Sequence, residues 1–98
     1  MADLTGKWSC DDKGMYYVRQ LGNMVYWYGE KAWTDPDWSN VFVGYINNDV
    51  VTGNWADVPK GKNELSGEMR FRISPNGNSF DCIHKTGGFG GSHWTRNV

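Results

Sequence analysis

Along residues 15 to 30, MYYVRQLGNMVYWYGE, apolar side chains alternate on both sides of Gly22-Asn23. A two-residue Gly-Asn turn joins twisted antiparallel strands, with Gly first and Asn tolerant of positive φ. Folding the ribbon there pairs Leu21 with Met24, Gln20 with Val25, Arg19 with Tyr26, Val18 with Trp27 and Tyr17 with Tyr28. One face then carries Tyr16, Val18, Gln20, Val25 and Trp27. The other carries Tyr17, Arg19, Leu21, Met24, Tyr26 and Tyr28. An antiparallel sheet over a core is ordinarily polar on its outer face. Neither face of this hairpin is.

The same period recurs. Asn48-Asp49 predicts a second hairpin that pairs Ile46 with Val51, Gly44 with Gly53 and Phe42 with Trp55 on one face. Asn76-Gly77 predicts a third, pairing Ile73 with Phe80, Phe71 with Cys82 and Met69 with His84. That register sets Arg72 opposite Asp81 and Glu68 opposite Lys85 on the other face, as opposite charges prefer. Strands at 4–10 and 92–96 complete a set of about eight, with 15–21, 24–30, 41–47, 50–57, 66–74 and 79–85. No stretch has helical periodicity, and 31–40 reads as a loop around Pro36.

Short turns follow the second, fourth and sixth strands; DDKG, KAWTDPDWSN, VPKGKNELS and TGGFGG follow the odd ones. In an up-and-down meander, short turns therefore share one end and longer loops the other. The fold expected is an all-β, single-domain antiparallel barrel over residues 1–98, which leaves no exposed sheet edge. A two-sheet sandwich is the alternative. The interior would hold Trp8, Val18, Val25, Trp27, Phe42, Ile46, Val51, Trp55, Met69, Phe71, Ile73, Phe80 and Trp94. Gly44 and Gly53 face each other and leave a gap in this lining, to be filled by a Trp indole or a strand bend. The alternative is a pocket wall, for which thirteen large apolar side chains leave little room.

Composition sharpens this picture: 6 Trp, 5 Tyr and 4 Phe accompany 13 Gly in 98 residues. Bulky rings to fill a small interior and glycines to turn the chain suit a small barrel. A net charge of -1 gives no electrostatic case for nucleic acid or an anionic membrane. No apolar run approaches the roughly 20 residues of a membrane span. MADLTGK has neither the apolar core nor the cleavage site of a signal peptide, so a cytoplasmic location is expected.

Gly6-Lys7-Trp8 near the start of the first strand, with Arg96 near the end of the last, resembles the signature of the calycin superfamily, which includes lipocalins and avidins. The resemblance implies that Trp8 packs under the basic side chain of Arg96 and closes the blind end of the barrel. It also implies that the opposite, long-loop end admits small ligands. No avidin-like set of polar residues for biotin is found.

Candidate chemistry is sparse. Cys10 and Cys82 face inward from strands separated by the last one, roughly 9 to 10 Å apart, which is too far for a disulfide. Cys82, His84 and His93 are too few for a structural metal site, and no metal or cofactor is expected. TGGFGG lacks the helix and the Lys-Ser or Lys-Thr of a phosphate loop. Asp11, Asp12, Asp35, Asp37 and Asp57 gather at the loop end, but their separations are unspecified, so catalysis is not expected.

The loop AWTDPDWSN sets Trp33 and Trp38 beside Asp35, Asp37 and Asn40. Ring faces stack on pyranose C–H groups while carboxylates and amides bond hydroxyls. The function expected is non-catalytic capture of a small molecule or glycan by Trp33, Asp35, Asp37, Trp38, Asn40 and Asp57. Alternatively, Trp33 and Trp38 fold back as a plug. A different class of function is a scaffold that self-associates through the outer wall of the second to fifth strands. Its interface would comprise Tyr17, Arg19, Leu21, Met24, Tyr26, Tyr28, Val43 and Tyr45, with Val50 beside them, and the expected state is a homodimer or larger. Arg19 is expected to stack across Tyr26.

Overall fold

The computed structural model describes residues 3–97. Eight strands run in chain order: β1 (Gly6–Cys10), β2 (Met15–Leu21), β3 (Met24–Glu30), β4 (Ser39–Asn47), β5 (Val50–Asp57), β6 (Ser66–Ile73), β7 (Ser79–Lys85) and β8 (His93–Arg96). Each pairs antiparallel with the next, and β8 pairs with β1. The protein is a closed up-and-down barrel, with no helix among the described residues.

The first two hairpins form in the predicted register, from Leu21↔Met24 to Tyr17↔Tyr28 and from Ile46↔Val51 to Phe42↔Trp55. Only the first residue of each two-residue turn has positive φ, 62° at Gly22 and 60° at Asn48. Glycine carries no penalty there, and asparagine a smaller one than most residues.

The third hairpin corrects the prediction. Ile73↔Phe80, Arg72↔Asp81 and Phe71↔Cys82 pair as expected, but a bulge then shifts the ladder to Arg70↔His84 and Met69↔Lys85. Ile83 is the extra residue. It and His84 are consecutively exposed, as a bulge permits. His84 Nε2 therefore lies 4.0 Å from Glu68, while Lys85 donates instead to Gly91 O and Ser92 Oγ. Four strand ends also differ, with β6 ending at Ile73 and β8 beginning at His93, each one residue inside the expected bound. β4 begins at Ser39, because Glu30↔Ser39 and Gly29↔Asn40 extend its ladder with β3. Leu4 leaves the β1 ladder, yet is fully buried.

Every side chain assigned to the interior is buried, joined by Leu4, Tyr16 and Phe89. Their rings pack on one another along the barrel. Trp27 stacks on Phe42 at 4.5 Å, Phe71 on Phe80 at 4.3 Å and Phe80 on Trp94 at 4.9 Å. The gap at Gly44 and Gly53 is filled by Phe42 rather than an indole: a Cβ at either glycine would come within 2.8 Å of its ring.

The short-turn end is closed by Trp8, fully buried, with the Arg96 guanidinium 4.5 Å from its ring centroid. Arg96 also donates to the carbonyls of Asp3, Thr5 and Gly77, and Trp8 Nε1 donates to Leu4 O at 2.8 Å. This is the contact that the Trp8 and Arg96 pattern implied.

Candidate functional site

The long-loop end is built by loops that bond to one another. Ser39 anchors two of them: its Oγ donates to Val58 O and accepts from Gly61 N, and its carbonyl accepts from Val58 N. The carbonyl of Asp37 accepts from Lys62 N and Asn63 N. Lys60 reaches across to Glu30, whose side chain is only 7% exposed, at 2.6 Å, and Tyr28 donates to the same carboxylate oxygen at 3.3 Å. The segment between β5 and β6 is thereby strapped to the start of β4.

The expected ligand residues divide. Trp33 is 81% exposed, outside the mouth. Asp35 is exposed at a left-handed turn position, φ 46°. Asp37 is engaged by Lys31 at 3.1 Å and Lys62 at 4.0 Å, and the Lys31 ammonium bonded to it holds its carboxyl below the usual range. The structure does not bring these three to the mouth. Trp38, Asn40 and Asp57 do meet, in a cleft of about 180 Å³ whose other walls are Asp12, Trp55, Asn63, Leu65 and the 88–90 segment.

Two directed hydrogen bonds form the floor. Trp27 Nε1 can only donate, so the Asn40 side-chain oxygen accepts it at 2.8 Å and the amide turns its N–H groups away. The Tyr16 hydroxyl donates to Asp12 Oδ2 at 2.5 Å. Gly14 N occupies Asp12 Oδ1. Burial, then the Asp12 charge, pushes the Tyr16 phenol far above its ordinary range. Asp12 and Tyr16 are thus committed to each other. Asp57 Oδ2 accepts from Leu65 N at 2.9 Å, while Oδ1 has no partner among the described residues.

Ring faces complete the cleft. Trp38, half-buried, lies over Tyr16 at 5.9 Å and against Gly14, where a Cβ would collide with its indole. Trp55 donates Nε1 to Thr86 O at 3.1 Å and meets Phe89 edge-on at 4.9 Å. The plug at the mouth is therefore Phe89 with Trp38, and Trp33 takes no part. The sequence held one sign of this: a lone large ring in a glycine run has little reason to lie in water. The indole N–H of Trp94, fully buried beneath, has no acceptor among the described residues.

Elsewhere, His93 Nδ1 meets Asp81 at 2.5 Å on the outer wall. Among the described residues, no group of three or more His, Cys, Asp or Glu is placed to hold a metal ion. Cys10 and Cys82 are free, half-buried thiols packed against the core. Burial raises both thiols, Cys10 far more. A native protein at pH 8 is expected to leave both thiols unmodified by a disulfide reagent, with two reacting after denaturation. The linkage sign is fixed. Folded Cys10 and Tyr16 hold their protons more tightly than the unfolded chain, so their contribution is complete below the ordinary thiol value of 9.0 and falls as pH rises above it. Denaturant midpoints measured from pH 7 to 11 should fall only on the alkaline side.

Geometry thus defines a small closed barrel with a ring-filled interior and a shallow polar-aromatic cleft at its loop end. No family model, curated protein or solved structure matches the chain.

Proposed function

We propose that this protein is a non-catalytic binding module that takes one small polar ring, such as a single sugar residue, in the cleft between Trp38, Trp55 and Asp57. The observation that carries this reading is the meeting of ring faces with a carboxylate oxygen, Asp57 Oδ1, that has no partner among the described residues. Size narrows the class. About 180 Å³ is below the roughly 300 to 1,000 Å³ of pockets that enclose drug-sized ligands, so one ring is held and any remainder lies outside. Kinship with the calycins is part of the proposal, supported by the Trp8–Arg96 contact at the opposite end.

A glycan and metabolite array tests the reading. Saturable binding is expected, weakened more than about tenfold by Trp38→Ala or Asp57→Asn, the loss of one stacking face or one charged hydrogen bond. Trp33→Ala should change it little. Silence across the array, or loss with Trp33→Ala alone, would overturn it.

A second reading concerns the outer wall of β2 to β5. Leu21 is 59% exposed and Tyr45 49%, with Tyr17, Tyr26 and Val43 each above 40%. Tyr17 and Tyr28 stack at 6.5 Å, whereas Arg19 makes no cation–π contact with Tyr26 among the described residues. Apart from the exposed Arg19, charge lies on the other half of the barrel: Glu68, Arg70, Arg72 and Asp81 are exposed on β6 and β7. A wall with so little charge matches a second copy of itself across a two-fold axis. Light scattering should find a dimer or larger that Tyr26→Glu with Tyr45→Glu converts toward monomer. A wild-type protein monomeric at high micromolar concentration would end this reading.

A further inference from the structure

Phe89 closes the barrel mouth from a segment with little else to hold it. Its ring is 7% exposed and packs against Trp55 at 4.9 Å, Trp94 at 6.0 Å and Trp27 at 6.4 Å. Apart from the turn at Gly87-Gly88, no hydrogen bond ties the backbone of 88–90 to a strand among the described residues. Both ends of the segment are fixed. Thr86 O accepts from Trp55 Nε1, a Cβ on Gly87 would strike Ser66 O, and Gly91 O accepts from Lys85 at 3.0 Å. Between these anchors, Gly88 holds φ 89°, and a Cβ on Gly90 would meet nothing within 4 Å. The ring is therefore held by side-chain packing, with no backbone hydrogen bond from 88–90 to a strand among the described residues, on glycines that can turn.

A phenyl ring from another molecule can make the same contacts. We propose that Phe89 is the resident occupant of a ring-binding subsite, displaced when a small molecule bearing a planar apolar ring enters with its polar end beside Asp57. The ligand class is an aryl compound with a hydroxylated or amide substituent. The ring subsite stands on the Phe89 contacts; only the polar end rests on the binding function proposed above. Space is not the obstacle, because a dry apolar cavity of about 150 Å³ suffices for benzene. Phe89 itself is the competitor. If its swung-out state is populated at about a tenth or less, an entering ring binds the native protein at least about tenfold more weakly than an unplugged one.

Toluene, which has no polar group, tests the subsite by itself. Phe89→Ala should stay folded by near-UV circular dichroism and gain thermal stability with saturating toluene. Its Trp55 indole N–H resonance should shift as the ring fills the vacancy. Wild-type protein should bind toluene about tenfold or more weakly, with shifts in the Gly88 and Gly90 amides. Should the alanine variant not fold, Phe89→Leu carries the same readouts, and the wild-type amide shifts stand without either. A folded variant that ignores toluene, equal affinity in wild type and variant, or wild-type amides that do not move would overturn the proposal. The two readings fail separately. Toluene binding with a silent array removes the polar cleft and keeps the subsite, while array binding without a toluene response does the reverse.

Discussion

Trp8→Ala is expected to lower stability by about 3 to 5 kcal/mol, read as a shift of the denaturant midpoint at unchanged slope. The size follows from three losses at one place. Removing a fully buried indole leaves a cavity beside Phe80, whose ring lies 4.7 Å away. Leu4 O loses its only donor among the described residues, Trp8 Nε1, at a point where Leu4 is itself fully buried. Arg96 loses the ring under its guanidinium, worth about 0.5 to 2 kcal/mol. Domains of this size hold about 5 to 15 kcal/mol in total, so the loss is from about a fifth to the whole of it. Trp8→Phe separates the terms, keeping a ring face and much of the volume while deleting the donor. Its cost should fall between wild type and alanine. Arg96→Ala should cost more than the cation–π figure alone, because three carbonyls lose a donor with it. A Trp8→Ala loss below about 1 kcal/mol would mean that the short-turn end is not closed by this pair.

The strands were legible because two signals agree in them. Period-two alternation fixed which residues face inward, and turn chemistry at Gly22, Asn48 and Gly77 fixed the register. Where a second signal was missing, the reading slipped. After Cys82 the run Ile83-His84-Lys85 has no alternation, and the match of Glu68 with Lys85 filled the silence. The bulge placed Lys85 opposite Met69 instead. The candidate site was legible only in part, for a related reason. Trp38, Asn40 and Asp57 sit at or next to strand ends, so the barrel itself sets their positions. Trp33, Asp35 and Asp37 lie in the loop between β3 and β4, whose path depends on Lys31, Lys62 and the Ser39 anchor. The Lys62 and Ser39 contacts join loops distant in sequence, and no local pattern encodes them. Trp55 was assigned to the interior, and it is there. Its position near the end of β5 also lets it serve as a wall of the cleft, so one residue answers to both core and site.

The paired glycines carry the other large effect. Gly53→Ala is expected to destabilise the protein by about 3 kcal/mol or somewhat more, at the upper end of overpacking costs. Its φ is not in the left-handed region, so the penalty is steric. A Cβ there would strike Val43 O, approach Gly44 Cα to 2.5 Å and come within 2.8 Å of the Phe42 ring. Two of those three obstacles are backbone on the neighbouring strand, held by the β4–β5 ladder, and cannot rotate away. That distinction is testable. If the ring were the main obstacle, Phe42→Leu in the Gly53→Ala background would recover most of the loss. Because the backbone dominates, the double variant should stay unstable and add the cost of a smaller core side chain. Gly90→Ala is the control, since nothing lies within 4 Å and φ is not positive there. It should be neutral or gain up to about 1 kcal/mol by restricting the unfolded chain. Full rescue by Phe42→Leu would show that β4 and β5 come close because the ring draws them together. Without rescue, their approach is set by the strands, and Phe42 fills the hollow that two side chains without a Cβ leave behind.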